Sequence, residues 1–192
     1  MGNERIGFAM CGSYCTFDRA LNALERLRCE YADITPIMSE SAYATDTRFG
    51  AAADFNTRLC ELCGREIIHT IQTAEPIGPR AVLDLLVIAP CTGNTLSKLA
   101  HGITDTAVTM AAKAQLRNER PVLIAISTND ALSGSAPALG ALLSRRNVYF
   151  VPFYQDDPHG KPTSLLANLE LLSEAVAAAL NGRQLQPMVG VG

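Results

Sequence analysis

Apolar residues along the chain fall into short unbroken runs, separated by longer stretches where they recur every three or four positions. The first run, residues 5–11, ends at Gly12 and Ser13, and behind it Phe17, Leu21, Leu24 and Leu27 repeat at helical spacing. The same reading predicts strands over 32–38, 66–71, 83–90, 121–127 and 148–153. It predicts helices over 17–27, 49–64, 94–102, 104–118, 136–146 and 164–180, with Gly64 stopping the second of them. Residues 83–90 and 121–127 lack the polar alternation of a one-sided strand, as expected for central strands covered on both faces. Strand and helix alternate from end to end, which predicts an α/β fold: one doubly wound, Rossmann-like or flavodoxin-like domain on a parallel sheet of about six strands. The domain is expected to span 1–192, with a core over about 5–181 and a tail over 182–192 where Gly182 and Pro187 end regular structure. In such folds ligands sit at the carboxyl ends of the strands, beside the point where strand order reverses. That rule selects the loops at 12–16, 39–41, 90–95 and 127–130 before any motif is consulted.

Composition narrows the function classes. With 192 residues, 48% of them hydrophobic and 18% charged, the chain has enough apolar material for a sizeable core. A net charge of −3 without a Lys/Arg block argues against nucleic acid or an anionic membrane as the main partner. The apolar run near the start is too short for a secretory segment or a membrane span, so a cytoplasmic protein is expected. The six cysteines are then read as reduced thiols. Cys60 and Cys63 form a CxxC, but at helical spacing they share a face, and no second ligand pair accompanies them, so no metal site is expected.

The selected loops are small and hydroxyl-rich. Residues 10–17 lack the GxGxxG of a dinucleotide fingerprint. Gly12 permits close backbone approach, and Ser13 can bind a phosphate or cap the helix behind it. Ser39 and Ser41 follow the second strand, and Ser127 and Asn129 follow the fifth. Together these loops suit a mononucleotide, with its phosphate on hydroxyls and amides and its flat ring against the backbone. The alternative is a set of well-capped helices and nothing more.

The stretch after residue 89 is sharper. Pro90-Cys91-Thr92-Gly93-Asn94-Thr95, with Lys98, Gly102 and Asp105 downstream, resembles the P-A-S-A-N-T segment of the homo-oligomeric flavin-containing cysteine decarboxylase superfamily of flavoproteins. Gly12 and Ser13 match the first flavin loop of that superfamily, and Ser39 its phosphate-binding hydroxyl. Within it, the segments at 67–79, 109–118, 126–132 and 149–158 are similar to the family of dipicolinate synthase B subunits, and the likeness runs from about residue 5 to 187. The resemblance implies an FMN site formed by Gly12, Ser13, Ser39, Thr92, Asn94, Thr95, Ser127 and Asn129. Ser39 would hold the phosphate, and Asn94 would face a substrate carboxylate. It further implies a homo-oligomer, trimeric or a multiple of trimers, that helps oxidise dihydrodipicolinate to dipicolinate in the mother cell during sporulation. The implied partner is the A-type subunit of dipicolinate synthase, through which NADP could take part.

Departures from the decarboxylases leave two rivals open. Their P-x-M-N-x-x-M substrate segment corresponds to Ile126 through Leu132, where Asn129 is kept but the Pro and both Met residues are absent. This weakens a flavin-dependent decarboxylase acting on a cysteine-derived thiol. The other rival is a non-catalytic scaffold supporting the A-type partner. For the acid–base role the candidates are His69, in the region where the superfamily carries a histidine, and Glu75, in a loop stiffened by Pro76 and Pro79. Arg48, Arg80 and Lys98 are the cations available to a substrate carboxylate. Cys91, at a helix start, reads as small-residue packing rather than a nucleophile. His101 reads as a helix-end residue, His159 as a loop residue, and Asp156 with Asp157 as a solvated turn.

Overall fold

A computed structural model describes residues 2–80 and 82–190. The chain runs β1 (Gly2–Met10), α1 (Phe17–Arg28), β2 (Tyr31–Met38), α2 (Glu40–Ala44), α3 (Ala52–Cys63), α4 (Ile71–Ala74) and α5 (Ile77–Arg80). It continues through β3 (Leu85–Cys91), α6 (Gly93–His101), α7 (Ala107–Arg117), β4 (Val122–Thr128), α8 (Ala136–Leu143) and β5 (Val148–Phe150). It closes with β6 (Phe153–Tyr154), β7 (Leu165–Ala167) and α9 (Leu172–Leu180). Five strands pair in parallel in the order β2-β1-β3-β4-β5, the doubly wound order of flavodoxin-like folds. Along the central strands, successive apolar side chains go to opposite faces. Phe8, Val87 and Leu123 meet α1, α3 and α9 through Leu21, Leu24, Leu59 and Val176. Leu86, Ile88 and Ile124 meet α6, α7 and α8 through Leu96, Val108 and Leu139. Two apolar faces per strand explain why the runs at 83–90 and 121–127 have no polar alternation.

Three expected elements differ in the structure. The stretch 66–71 is not a strand. Only Ile68 bridges Ile37, because the Thr70 hydroxyl accepts the Thr73 N–H in a reciprocal capping box and starts α4 at Ile71. Residues 148–153 do not form one strand but divide into β5 and β6 around Val151 and Pro152. The segment 164–180 is not helical throughout. Its first part is β7, antiparallel to the end of β4 and to β6, so the sheet has seven strands rather than six and is only mostly parallel. The 182–190 segment also lies along the sheet. The Gln184 side chain donates to the Phe150 carbonyl at 2.7 Å and accepts its N–H at 2.8 Å, while the Phe153 N–H donates to the Met188 carbonyl. An amide side chain here does what a neighbouring strand would do.

At the amino-terminal ends of the strands, Asp84 is clamped between Arg5 and Arg120. The Arg5 guanidinium donates to both carboxylate oxygens, at 3.0 and 2.8 Å, and Arg120 donates to one of them at 2.5 Å. The Arg5 hydrogen bonds, joined by Arg120, hold the Asp84 carboxyl well below the usual carboxylate range. A carboxyl depressed in the folded chain stabilises it at neutral pH, and that contribution is lost as pH falls below the unfolded value of about 4. Asp84→Asn is therefore expected to lower stability at pH 7 by roughly 1–2 kcal/mol, after allowance for partial exposure. The gap from the parent chain should narrow in urea titrations repeated at pH 5, 4 and 3. A gap independent of pH would remove the clamp as its cause.

Candidate functional site

Strand order reverses at β1, because β2 lies on one side of it and β3 on the other. The chain leaves β1 for α1 on one face and leaves β3 for α6 on the other. The two loops diverge, and a crevice opens at the carboxyl ends of the strands, where doubly wound folds hold ligands. Here it is a cleft of about 1010 Å³, at the large end of the range for small-molecule sites.

Its first wall is the loop 12–16. Gly12 exposes bare backbone to the cleft, and the atoms nearest to a side-chain carbon placed there would be those of Tyr14, at 3.5 and 3.7 Å. Three hydroxyls then tie this loop to the end of β4. Ser127 lies 2.7 Å from Ser13 and 2.8 Å from the buried Thr16, oxygen to oxygen. The second wall is the start of α6. The Thr92 hydroxyl caps that helix by accepting the Thr95 N–H at 3.2 Å, and it donates to the Thr95 hydroxyl. Gly93 and Asn94, in the first turn, have no intrahelical acceptor for their N–H groups. The third wall is the loop after β4, folded around Asp130, whose carboxylate accepts from Thr128 at 2.6 Å and Ser135 at 3.0 Å. This knot presses on Gly93, where a side-chain carbon would meet Ser135 Oγ at 2.4 Å and Asp130 Oδ1 at 2.6 Å.

Charge is unevenly compensated in the cleft. Asp156 accepts from Ser164 at 2.7 Å and pairs with Lys161 at 3.3 Å, so both cleft carboxylates are engaged. Arg19, in the first turn of α1, and Arg48, lying 4.8 Å over the Phe49 ring, also line the cleft. Neither forms an ion pair among the described residues.

Of the residues singled out from sequence, Gly12, Ser13, Thr92, Asn94, Ser127 and Asn129 all line this cleft. Thr95 is buried behind the wall in the α6 cap. Ser39 is buried as well. Its hydroxyl caps α2 by accepting the Ala42 N–H and does not line the cleft. His69 lies off the cleft lining, stacked on the Tyr43 ring at 3.7 Å and 4°, with Nδ1 3.2 Å from the Ile67 carbonyl. Glu75 closes α4 and is also off the lining.

Among the cations, Arg48 lines the cleft, Arg80 ends α5, and Lys98 pairs with Asp105 at 2.8 Å. His101 Nδ1 lies 2.8 Å from the Ser97 carbonyl on its own helix, and His159 is exposed. Asp157 accepts the Gly160 N–H in a turn. Cys91 is fully buried. Interaction with the neighbouring Cys11 thiol, together with burial, keeps it well above the ordinary thiol range. Burial likewise pushes the Cys63 thiol up to about 12. Among the described residues no three His, Cys, Asp or Glu side chains are grouped to hold a metal ion, and no helix is long and apolar enough to cross a membrane.

Sequence reasoning missed Arg19 and Phe49, and it gave no individual role to Thr16 and Asp130, which fall inside the selected loops at 12–16 and 127–130. A signal existed for Arg19, which follows a ligand loop by three residues at the start of a helix. It existed also for Asp130, flanked by Thr128 and Ser135, a donor set that a carboxylate at the edge of the core requires.

The chain is similar to known proteins over most of its length. The chain is 46% identical over 186 residues to the B subunit of dipicolinate synthase from Bacillus subtilis strain 168, covering 97% of this chain and 93% of that one. It superposes on the crystal structure of the dipicolinate synthase B subunit from Bacillus halodurans with a TM-score of 0.89 at 42% identity, over 97% and 96% of the two chains. The FMN-dependent cysteine decarboxylase SpaF shares the fold alone, with a TM-score of 0.67 at 21% identity over 92% and 97%. The profile of the Flavoprotein family matches residues 1–147, which include the loop 12–16, the Pro90–Thr95 turn and the Asp130 knot. On that match, and on an α/β sheet whose cleft opens where its strand order reverses, the chain belongs to the Flavoprotein family.

Proposed function

We propose that this chain is the B-type subunit of a dipicolinate synthase, binds FMN in the cleft between the β1 and β3 loops, and takes part in oxidising dihydrodipicolinate to dipicolinate. The observation that carries the reading is the convergence of Gly12, Ser13, Thr92, Asn94, Ser127 and Asn129 on one cleft, in a chain alike over nearly its full length to two such subunits. The residues present fit a flavin mononucleotide. Gly12 carries no side chain where the backbone borders the cleft, and the cleft hydroxyls and the N-terminus of α6 suit a phosphate. Bound there, FMN supplies a two-electron acceptor for a hydride equivalent.

The chain's own contribution is binding and orientation. Gly12 and Ser13 border the phosphate end, Thr92 holds the α6 turn against the ring, and Asn94 presents its amide to a substrate carboxylate. Oxidation of the ring diacid also releases a proton. His69 and Glu75, the candidate acceptors, lie off the cleft lining within one chain. In this reading the chain works in the mother-cell cytoplasm as a trimer or a multiple of trimers, beside an A-type partner that binds NADP. Engagement of both cleft carboxylates favours a second reading, in which the chain orients ligands as a scaffold and the A-type partner carries the chemistry.

The test is the visible absorption spectrum of the purified chain before and after addition of FMN and desalting. A retained flavin band near one equivalent per chain is the expected result. No retained flavin at saturating FMN would sink the flavin site and leave the scaffold reading.

A further inference from the structure

Arg19 and Arg48 reach the cleft from different elements, and among the described residues neither meets a carboxylate. The cleft's own acids do not neutralise them, because Asp130 is bound by Thr128 and Ser135, and Asp156 by Lys161 and Ser164. Two full positive charges therefore face one cavity without local compensation. Both side chains are exposed, so they stand at the mouth, where a diffusing ligand arrives.

Arg48 is also held in place. Thr47 and Gly50 exchange backbone hydrogen bonds at 3.0 and 3.1 Å, and Gly50 takes a φ of +147° that side chains rarely adopt. The Asp46 carboxylate accepts the Ala52 N–H at 2.8 Å and anchors the base of the turn. Arg48 and Phe49 thus form the tip of a fixed hairpin that offers a cation and an aromatic face together.

We infer that Arg19 and Arg48 are the specificity-determining pair that recognises the two carboxylates of a ring diacid in the cleft, with Phe49 beside its ring. The inference rests on the proposed reaction for the identity of that diacid. A resident mononucleotide phosphate is a single compact group suited to the hydroxyls and free N–H groups of the loop walls. An exchanging diacid brings two separated anions to the mouth, one for each guanidinium, and guanidinium pairs with carboxylate in a two-pronged geometry.

The experiment titrates pyridine-2,6-dicarboxylate and pyridine-2-carboxylate calorimetrically into the full chain, with and without added FMN. The parent chain, Arg19→Gln and Arg48→Gln are compared, and FMN affinity is measured separately by fluorescence quenching. Each substitution is expected to weaken diacid binding by roughly tenfold or more, the size of one lost charge-assisted hydrogen bond. It should also erase much of the preference for diacid over monoacid, with FMN affinity unchanged. Three results overturn the inference: a parent chain that does not bind the diacid, diacid binding unchanged in both variants, or lost FMN affinity with diacid binding intact. The last would assign the arginines to the flavin phosphate. A parent chain that binds the diacid through both arginines but retains no FMN would overturn the flavin reading and leave this one standing.

Discussion

Gly93→Ala is expected to destabilise the chain by about 2–3 kcal/mol and to abolish most ligand retention, the largest stability effect of any single change at the site. Gly93 is the first residue of α6 and is buried against the loop after β4. A methyl group there would lie 2.4 Å from Ser135 Oγ, 2.6 Å from Asp130 Oδ1 and 2.9 Å from Thr128 Oγ1. These atoms cannot retreat singly, because Asp130 is hydrogen-bonded to both hydroxyls. Either the Asp130 knot opens and leaves a carboxylate short of donors, or α6 shifts and takes Thr92 and Asn94 with it. Both outcomes distort the cleft. Gly140→Ala is the control, since Gly140 sits in α8 with nothing within 4 Å of the added carbon. That change is expected to be neutral or slightly stabilising. Urea denaturation of both variants is decisive, and equal stabilities would mean that the Gly93 contact with the knot does not constrain the fold.

Asn94→Asp should leave the chain folded and its flavin bound, while lowering turnover in the presence of the A-type partner by about 100-fold. Asn94 is exposed in the first turn of α6, where a negative charge favours the helix by roughly 0.3–1 kcal/mol. Folding therefore gives no reason for loss. The change removes an N–H donor and puts an anion in a cleft proposed to bind a dianion. Loss of a hydrogen bond to a charged group is worth about 1.5–3 kcal/mol, and like-charge repulsion adds to it. Flavin retention and steady-state rate are measured on the same preparation. Unchanged turnover would transfer the chemistry to the A-type partner and leave this chain as its scaffold.

Much of the fold and part of the site were legible in the residues alone. The runs at 83–90 and 121–127 announced doubly covered strands, and the strand-end rule then selected the loops at 12–16, 90–95 and 127–130, which do line one cleft. Ser39 illustrates the limit. A hydroxyl directly after β2 looks the same in sequence whether it faces a ligand or caps a helix, and here it caps α2. The 66–71 segment has strand composition, yet Thr70 and Thr73 offered the backbone a capping box, a competing local bond that periodicity does not register. Residues 164–167 read as the start of an apolar helix. Open hydrogen-bonding groups at the end of β4 drew them into the sheet instead.

The alternation of strands and helices, the double burial of the central strands, and the small hydroxyl-bearing residues at the strand ends are all written in the order of residues. Each of these is set by hydrophobic period and local capping, which act over a few residues. Long-range packing, by contrast, joins Ser13, Thr16 and Ser127 in one hydrogen-bonded chain across more than a hundred positions, and uses up Asp130 on Thr128 and Ser135. It also decided that Arg19 and Arg48 face the cleft without acidic partners, while Lys98 is paired to Asp105. A charge becomes compensated or free according to which side chains long-range packing brings within a few ångströms, and that distance is not written in the order of residues along the chain.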